Sequence, residues 1–304
     1  MIPISLKKAM PGISPSTKKY PLVLIGVLLF SGLFFSAVSP ETPARTIYNK
    51  MINALEANTG SVYLMHSLER IVHNKDMNEE EIFTKVNVHP IKVYLKIISG
   101  ANKGTEILFV DGENNNKALV NPGKFLPDIH LSPSGSMMVK NEHHTIVTSG
   151  FMLVDAIMKA SVKKMDAHGK FDSNFRYEGD VTWNGRSCFK IVIDDDSWTY
   201  TTYVAQKGET MSTIALKRLI PEYSLMELDG IKSFDEDLGG KTLKLPNGYA
   251  KKTVLYIDKA NYYPVCQEMS DEKGVFERYE YKNLIVNPAF KPDEFTRDFS
   301  EYKF

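Results

Sequence analysis

The chain has 304 residues, 43% of them hydrophobic, which suits one large domain plus a small one and argues against a disordered chain. Lys plus Arg and Asp plus Glu are equal at 37 each, for a formal net charge of zero. No stretch beyond the N-terminal lysines carries a basic excess, so nucleic acid is not expected as a partner.

Lys7, Lys8, Lys18 and Lys19 precede an uncharged run, 21–39, rich in Leu, Val and Phe. Positive residues followed by an apolar stretch mark a segment handled by the export machinery. The run is as long as a short membrane-spanning helix, and the cleavage options at Ala37 and Ala44 are poor. Residues 1–40 therefore read either as a removed signal peptide or as an inner-membrane anchor. Both readings place the body of the protein in the periplasm or cell envelope. The two cysteines, Cys188 and Cys266, lie far from the apolar run, so a lipid-modified N-terminal cysteine is excluded. In an oxidising compartment they could pair; the preferred reading makes each a small buried hydrophobe on a strand.

Thr42-Pro43 opens a helix, with a capping threonine and proline at the first position. Ile47, Tyr48, Met51, Ile52 and Leu55 then recur at helical spacing, and Gly60 closes the segment. Strand patterns follow at 61–72, 81–88 and 92–98, the last with Val93, Leu95 and Ile97 on one parity. Further strands are expected at 104–110, ending in the turn signal Asp111-Gly112, at 118–120 and at 125–131. A second helix carries Phe151, Val154, Ile157, Met158, Val162 and Met165, with Ser149 as its cap and Gly169 past its end. Strands return at 175–182 and 188–193 around Asn184-Gly185, and Phe189, Ile191 and Ile193 share a face opposite Lys190. The rhythm breaks from 198 to 249 and resumes with strands at 253–257, 262–269 and 275–284. A small domain inserted in a loop of a larger antiparallel sheet is the simplest account.

Residues 203–246 resemble the LysM family. Tyr203 begins the segment, and Gly208-Glu209-Thr210-Met211 stands where that family has Gly-Asp-Thr-Leu. Ile214-Ala215 matches the first helix, Leu225 and Leu228 the second, and Gly240, Leu243, Leu245 and Pro246 the closing strand. The chain departs from the pattern at Ala205, where valine is usual, and at Asp229, where asparagine is usual. The resemblance implies a βααβ fold that binds the N-acetylglucosamine-containing backbone of peptidoglycan in a shallow groove. Carried over, the groove lies between Gly208, Glu209, Thr210 and Met211 on one side and Asp229, Gly230 and Ile231 on the other.

The surrounding sheet resembles the periplasmic lipoprotein-carrier (LolA-like) superfamily, through 93–96, 104–109, Gly150-Phe151, 255–258, Tyr263-Pro264, Glu268, Gly274 and 279–281. The resemblance implies an α+β fold, a curved antiparallel β half-barrel with two packed helices, whose apolar cavity holds acyl chains in the carriers. Val93, Leu95, Ile97, Phe189, Ile191, Ile193, Leu255 and Ile257 are the candidate cavity residues. Residues 41–197 and 251–304 would build this domain and 198–250 the LysM-like insert.

No His-Glu-x-x-His pattern, paired CxxC or glycine-rich phosphate loop is present, so no catalytic residue, cofactor or metal is expected. His143-His144 reads as a solvated loop, and Asp194-Asp195-Asp196 as a solvated turn rather than a calcium site. The expected function is a non-enzymatic envelope protein that binds peptidoglycan and carries a lipid or lipoprotein acyl chain. The alternatives are a wall-docked scaffold for a protein partner and an accessory of a cell-wall hydrolase.

Overall fold

A computed structural model describes residues 42–123, 126–140 and 142–304, and the expected export segment lies outside the described residues. Helix α1 (Pro43–Glu56) starts where Thr42 Oγ1 accepts from the Arg45 amide at 3.3 Å, with Pro43 at its first position. Strands β1 (Gly60–Arg70), β2 (Met77–Asn87), β3 (Lys92–Ser99), β4 (Glu106–Val110), β5 (Ala118–Asn121) and β6 (Ile129–Leu131) follow as a meander. Helix α2 (Met152–Ala167) and the short α3 (Phe171–Asn174) come next, then β7 (Phe175–Trp183) and β8 (Arg186–Asp194). A separate unit of β9 (Tyr200–Val204), α4 (Met211–Arg218), α5 (Glu222–Asp229) and β10 (Thr242–Pro246) intervenes. The chain closes with β11 (Lys252–Asp258), β12 (Pro264–Asp271) and β13 (Gly274–Val286).

Eleven strands form one antiparallel sheet in the order β6-β5-β4-β3-β2-β1-β13-β12-β11-β8-β7. The fold is thus α+β with a large antiparallel sheet and few helices. The register aligns inward side chains across strands: Tyr63, Thr84, Leu95, Ile107, Val120 and Ile129 stand in one row. Ile129 on β6 and Leu255 on β11 line one cavity although their strands are eight places apart. A flat sheet would separate them by about 38 Å, so the sheet curls around its inner face. The buried stripe of α1 and residues Ile157, Met158, Val162 and Met165 of α2 share a core with that face. The segment after β13 covers part of the opposite face, where Tyr302 stacks on Tyr94 at 3.6 Å and Phe295 joins Leu108 and Leu119.

Ser149, expected as the cap of α2, does not serve: Phe151 holds the cap position and makes no side-chain cap. Gly150, at φ +88°, donates to Tyr63 Oη at 3.2 Å, and this turn drives Phe151 into the core before the helix begins.

Residues 200–246 form a βααβ arrangement with β9 antiparallel to β10. Thr210 and Thr213 cap α4 reciprocally, and Gly208 turns the chain at φ +81°. Met211, Ile214, Leu225, Leu243 and Leu245 fill its small core, which also takes in Val139 from the loop before α2. The unit inserts between adjacent strands β8 and β11 and is tied to the sheet. Arg70 Nε donates to Tyr223 Oη at 2.8 Å, and Lys273 Nζ lies 2.6 Å from Glu227. Residues 41–304 form one compact unit with its own core.

Cys188 and Cys266 are buried and free. They lie on β8 and β12 with β11 between them, about 9.5 Å of strand spacing, which no disulfide spans. Burial pushes the Cys188 thiol up to about 11 and the Cys266 thiol to about 12.

Candidate functional site

The inner face of the sheet and α2 border a cavity of about 400 Å³. That volume falls within the range of small-molecule sites. One wall is apolar: Ile82, Leu95, Ile97, Ile107, Val120 and Ile129 from the sheet face Leu153, Val154, Ile157 and Met158 of α2. Strand periodicity explains the wall, because each inward position alternates with an outward one along its strand.

Of the eight expected cavity residues, Leu95, Ile97 and Leu255 line this space. Val93, Phe189, Ile191 and Ile257 do not; they pack in or against the core that the helices share. Ile193 borders a smaller void of about 70 Å³ between α2 and the segment 247–250. The division follows helix placement. Near α1 and α3 the inner face is filled: Phe175 packs against Tyr48 and Phe171, and Ile191 is fully buried in the same core. Toward β3–β6 no second described helix covers it, and space remains.

The other end of the cavity is polar. Glu69, Glu80, Glu142, His144, Tyr249 and Tyr279 all line it. His143 and His144, expected in a solvated loop, are instead packed into this end. His143 is 2% exposed and stacks on Tyr223 with ring centroids 4.4 Å apart. Its Nδ1 meets Glu277 Oε1 at 2.9 Å and its Nε2 meets the Arg70 carbonyl oxygen at 2.9 Å. Both partners accept, so both ring nitrogens donate and the ring is an imidazolium. His144 Nε2 donates to the Tyr249 hydroxyl oxygen at 2.9 Å, whose own proton goes to Glu277 Oε2 at 2.7 Å, and lies 3.5 Å from Glu277 Oε1. The overturned expectation has a physical cause: the partners come from β1, β13 and α5, and nothing near the two histidines in sequence announces them.

Electrostatics differ between members of the cluster. Burial opposes ionisation of Glu277, but the facing His144 and His143 rings outweigh it and hold the carboxyl down to about 2. Burial likewise opposes charge on the two histidines. Glu69 and Glu277 nevertheless raise His143, and Glu277 and Glu222 raise His144 well above the usual range. Glu69 is satisfied, accepting from Tyr279 Oη at 2.6 Å and the His143 amide at 2.8 Å. Glu80 is different. It is 2% exposed, its Oε2 has no hydrogen-bond partner, and burial and Glu69 push it up to about 6. Glu142 is raised well above the carboxylate range by burial first, then by Glu69 and Glu80. One signal for these residues was present in the sequence: Glu80 shares the inward parity of Ile82 and Thr84.

On the insert, a second and more open cavity of about 460 Å³ is bordered by Asp229, Gly230, Ile231, Lys232, Glu236, Lys241, Thr242 and Leu243. This holds one arm of the expected groove. The other arm does not border it. Met211 is fully buried in the insert core, so its side chain cannot face a sugar. Glu209 is satisfied within its own loop, accepting from Tyr203 Oη, the Gln206 amide at 2.8 Å and Lys217 Nζ at 2.9 Å. Gly208 donates to Asp237 Oδ1 at 3.1 Å. Asp229 accepts from the Lys244 amide at 3.0 Å.

Asp194, Asp195 and Asp196 diverge, to Arg176 at 2.5 Å, Lys164 at 2.8 Å and Lys170 at 3.1 Å. Among the described residues no group of three acidic, His or Cys side chains is placed to hold a metal ion. No described helix is long and apolar enough to cross a membrane.

Residues 61–211 match the model of a family described as a protein of unknown function, DUF1571, over just under half of the chain. No curated protein matches. Among solved structures, a chain of the Pseudomonas aeruginosa MucA/MucB complex is 14% identical, with 84% of this chain and 60% of that one covered at a TM-score of 0.36. This chain thus spans about three fifths of the length of that one. An uncharacterized conserved protein from Thermus thermophilus is 10% identical over 86% of this chain and 96% of its own, with a TM-score of 0.38. The lipoprotein LppX of Mycobacterium tuberculosis is 11% identical over 81% and 96%, with a TM-score of 0.37. All three are distant likenesses.

Proposed function

We propose that this chain is a non-enzymatic protein of the cell envelope that holds the alkyl chain of a lipid or lipoprotein in the cavity beneath its curved sheet. The observation that carries the reading is the cavity itself: about 400 Å³, walled by sheet and helix residues, apolar along most of its length and polar at one end. A filled core would have no such space, because interiors close to crystal-like density wherever side chains can reach. The export-type sequence at 1–40 supports that compartment.

Residues 42–304, expressed in a bacterial periplasm and purified without detergent, should carry acyl lipid detectable by solvent extraction and mass spectrometry. Leu153→Trp, which puts an indole into the cavity from α2, should abolish that lipid while circular dichroism stays unchanged. Lipid-free wild-type protein that also takes up no added alkyl ligand would remove the reading.

A second function rides on the insert. Its βααβ arrangement and the open cavity beside Asp229, Gly230 and Ile231 favour docking on the peptidoglycan glycan, as the LysM resemblance implies. Asp229→Ala should weaken sedimentation with insoluble peptidoglycan, with stability lowered by the lost bond to the Lys244 amide, about 1 kcal/mol. Undiminished sedimentation would take Asp229 out of the site.

A further inference from the structure

The polar end of the cavity is not a neutral stopper. Among the described residues Glu69, Glu80, Glu142, Glu222 and Glu277 gather there with only His143 and His144 as nearby cations, while Arg70 is committed to Asp271 and Tyr223. Both histidines already face carboxylates: His143 against Glu277, His144 against Glu277 and Glu222. What remains unanswered is the pair that lines the cavity without an ion-pair partner, Glu80 and Glu142.

Glu80 carries the clearest demand. Its strand position is fixed by the register, opposite Ser67 on β1, so its carboxyl cannot swing to the outer face. Its Oε2 is buried and has no hydrogen-bond partner, although buried polar atoms in folded proteins nearly always find one. Burying a carboxylate without a counter-charge is costly, and the cost shows in the raised proton affinities of Glu80 and Glu142. An apolar ligand alone would leave that demand standing. A phosphate or carboxylate head would add to it, since the acidic groups outnumber the imidazoles.

We infer that the polar end of the cavity receives a cationic head group, so that the alkyl ligand is an amphiphile bearing an amine or ammonium bound by Glu80 and Glu142. This rests on the proposal that the cavity takes an alkyl chain. An ammonium offers three donors and no acceptor, which suits a wall made of carboxylate oxygens. Charge-assisted hydrogen bonds are the stronger kind, and they give the site discrimination between heads on one and the same chain. The apolar wall would hold the tail and the Glu80–Glu142 end would select the head.

Three probes with one tail separate the effects: dodecylamine, dodecanol and dodecanoate. Each is titrated calorimetrically, below its micelle concentration, into delipidated protein from residue 42 onward. At pH 8 dodecylamine should bind at least about tenfold tighter than dodecanol, the yield of one charge-assisted hydrogen bond, and dodecanoate weakest. At pH 5 the preference should shrink, because Glu80 takes up a proton near 6; Glu69 and Glu142 are the titratable groups that face it. In Glu80→Gln with Glu142→Gln, dodecylamine affinity should fall to that of dodecanol, while dodecanol binding, which reads the intact cavity, stays at the wild-type level. If the double variant fails to fold, Glu80→Gln alone carries the same test with a partial loss. Equal affinity for the amine and the alcohol, or tighter dodecanoate, overturns the cationic head group and leaves the alkyl cavity standing. Binding of none of the three overturns both.

Discussion

Replacing Glu277 by alanine is expected to destabilise the protein by about 3–5 kcal/mol at pH 6, the loss typical when one partner of a buried ion pair is removed. Glu277 is fully buried on β13, where it meets His143 Nδ1 at 2.9 Å, accepts from Tyr249 Oη at 2.7 Å and faces His144 at 3.5 Å. The substitution strands two imidazolium rings and a hydroxyl in the interior. Glu277→Gln retains an acceptor oxygen and should cost less. The pH dependence has a definite sign. The Glu277 carboxyl sits near 2, against 4.5 for an unperturbed glutamate, so its stabilisation is present above 4.5 and lost as pH falls toward 2. The two histidines are raised above 6.5, so theirs is present below 6.5 and lost as pH rises through their folded values. These are the same attraction seen from its two ends and count once. The difference between wild type and variant should therefore be largest between about pH 4.5 and 6.5 and shrink on both sides. Urea titrations across that range measure it; a difference under about 1 kcal/mol at pH 6 would show that the cluster is not an ion pair.

What the sequence disclosed and what it withheld divide along the range of the interactions. Alternation along 61–72 and 92–98 locates β1 and β3, because a strand's inward face is written in its own residues. The antiparallel hairpins follow from turn signals such as Asn184-Gly185, where Asn184 and Gly185 both take positive φ. The division of Val93 from Leu95 was not legible. Both share one parity, yet the first packs in the core and the second borders open space. Which of them does so depends on where α1 and α2 come to rest, and no local pattern encodes that. The burial of the histidine pair is illegible in the sequence for the same reason. His143 is 134 residues from Glu277 and 73 from Arg70, so its burial is decided by contacts that strand order alone brings together. The Asp194–Asp196 run, expected as a solvated turn, keeps Asp194 and Asp196 partly exposed, while Asp195 is largely covered beside Lys164.

Leu243→Ala should open the βααβ unit and carry the cavity's polar end with it. Leu243 is 2% exposed on β10, opposite Tyr203, in a core of which Met211, Ile214, Leu225, Phe234, Leu238 and Leu245 are the main members. Truncating a buried leucine costs about 2–5 kcal/mol, and a core this small has little to spare. The unit is not an isolated bead. Helix α5 sends Tyr223 into the main core, stacked 4.4 Å from His143 and 5.7 Å from Phe276, and Glu222 lies 3.6 Å from His144. Val139, four residues before His143, belongs to the insert's own core. Opening the unit withdraws these covers from the histidine pair. Hydrogen exchange followed by mass spectrometry should show 200–246 and 139–148 losing protection together, with β1–β4 still protected. Loss confined to 200–246 would mean that Tyr223 and Glu222 are incidental neighbours of the polar end, and that the insert opens independently of the cavity.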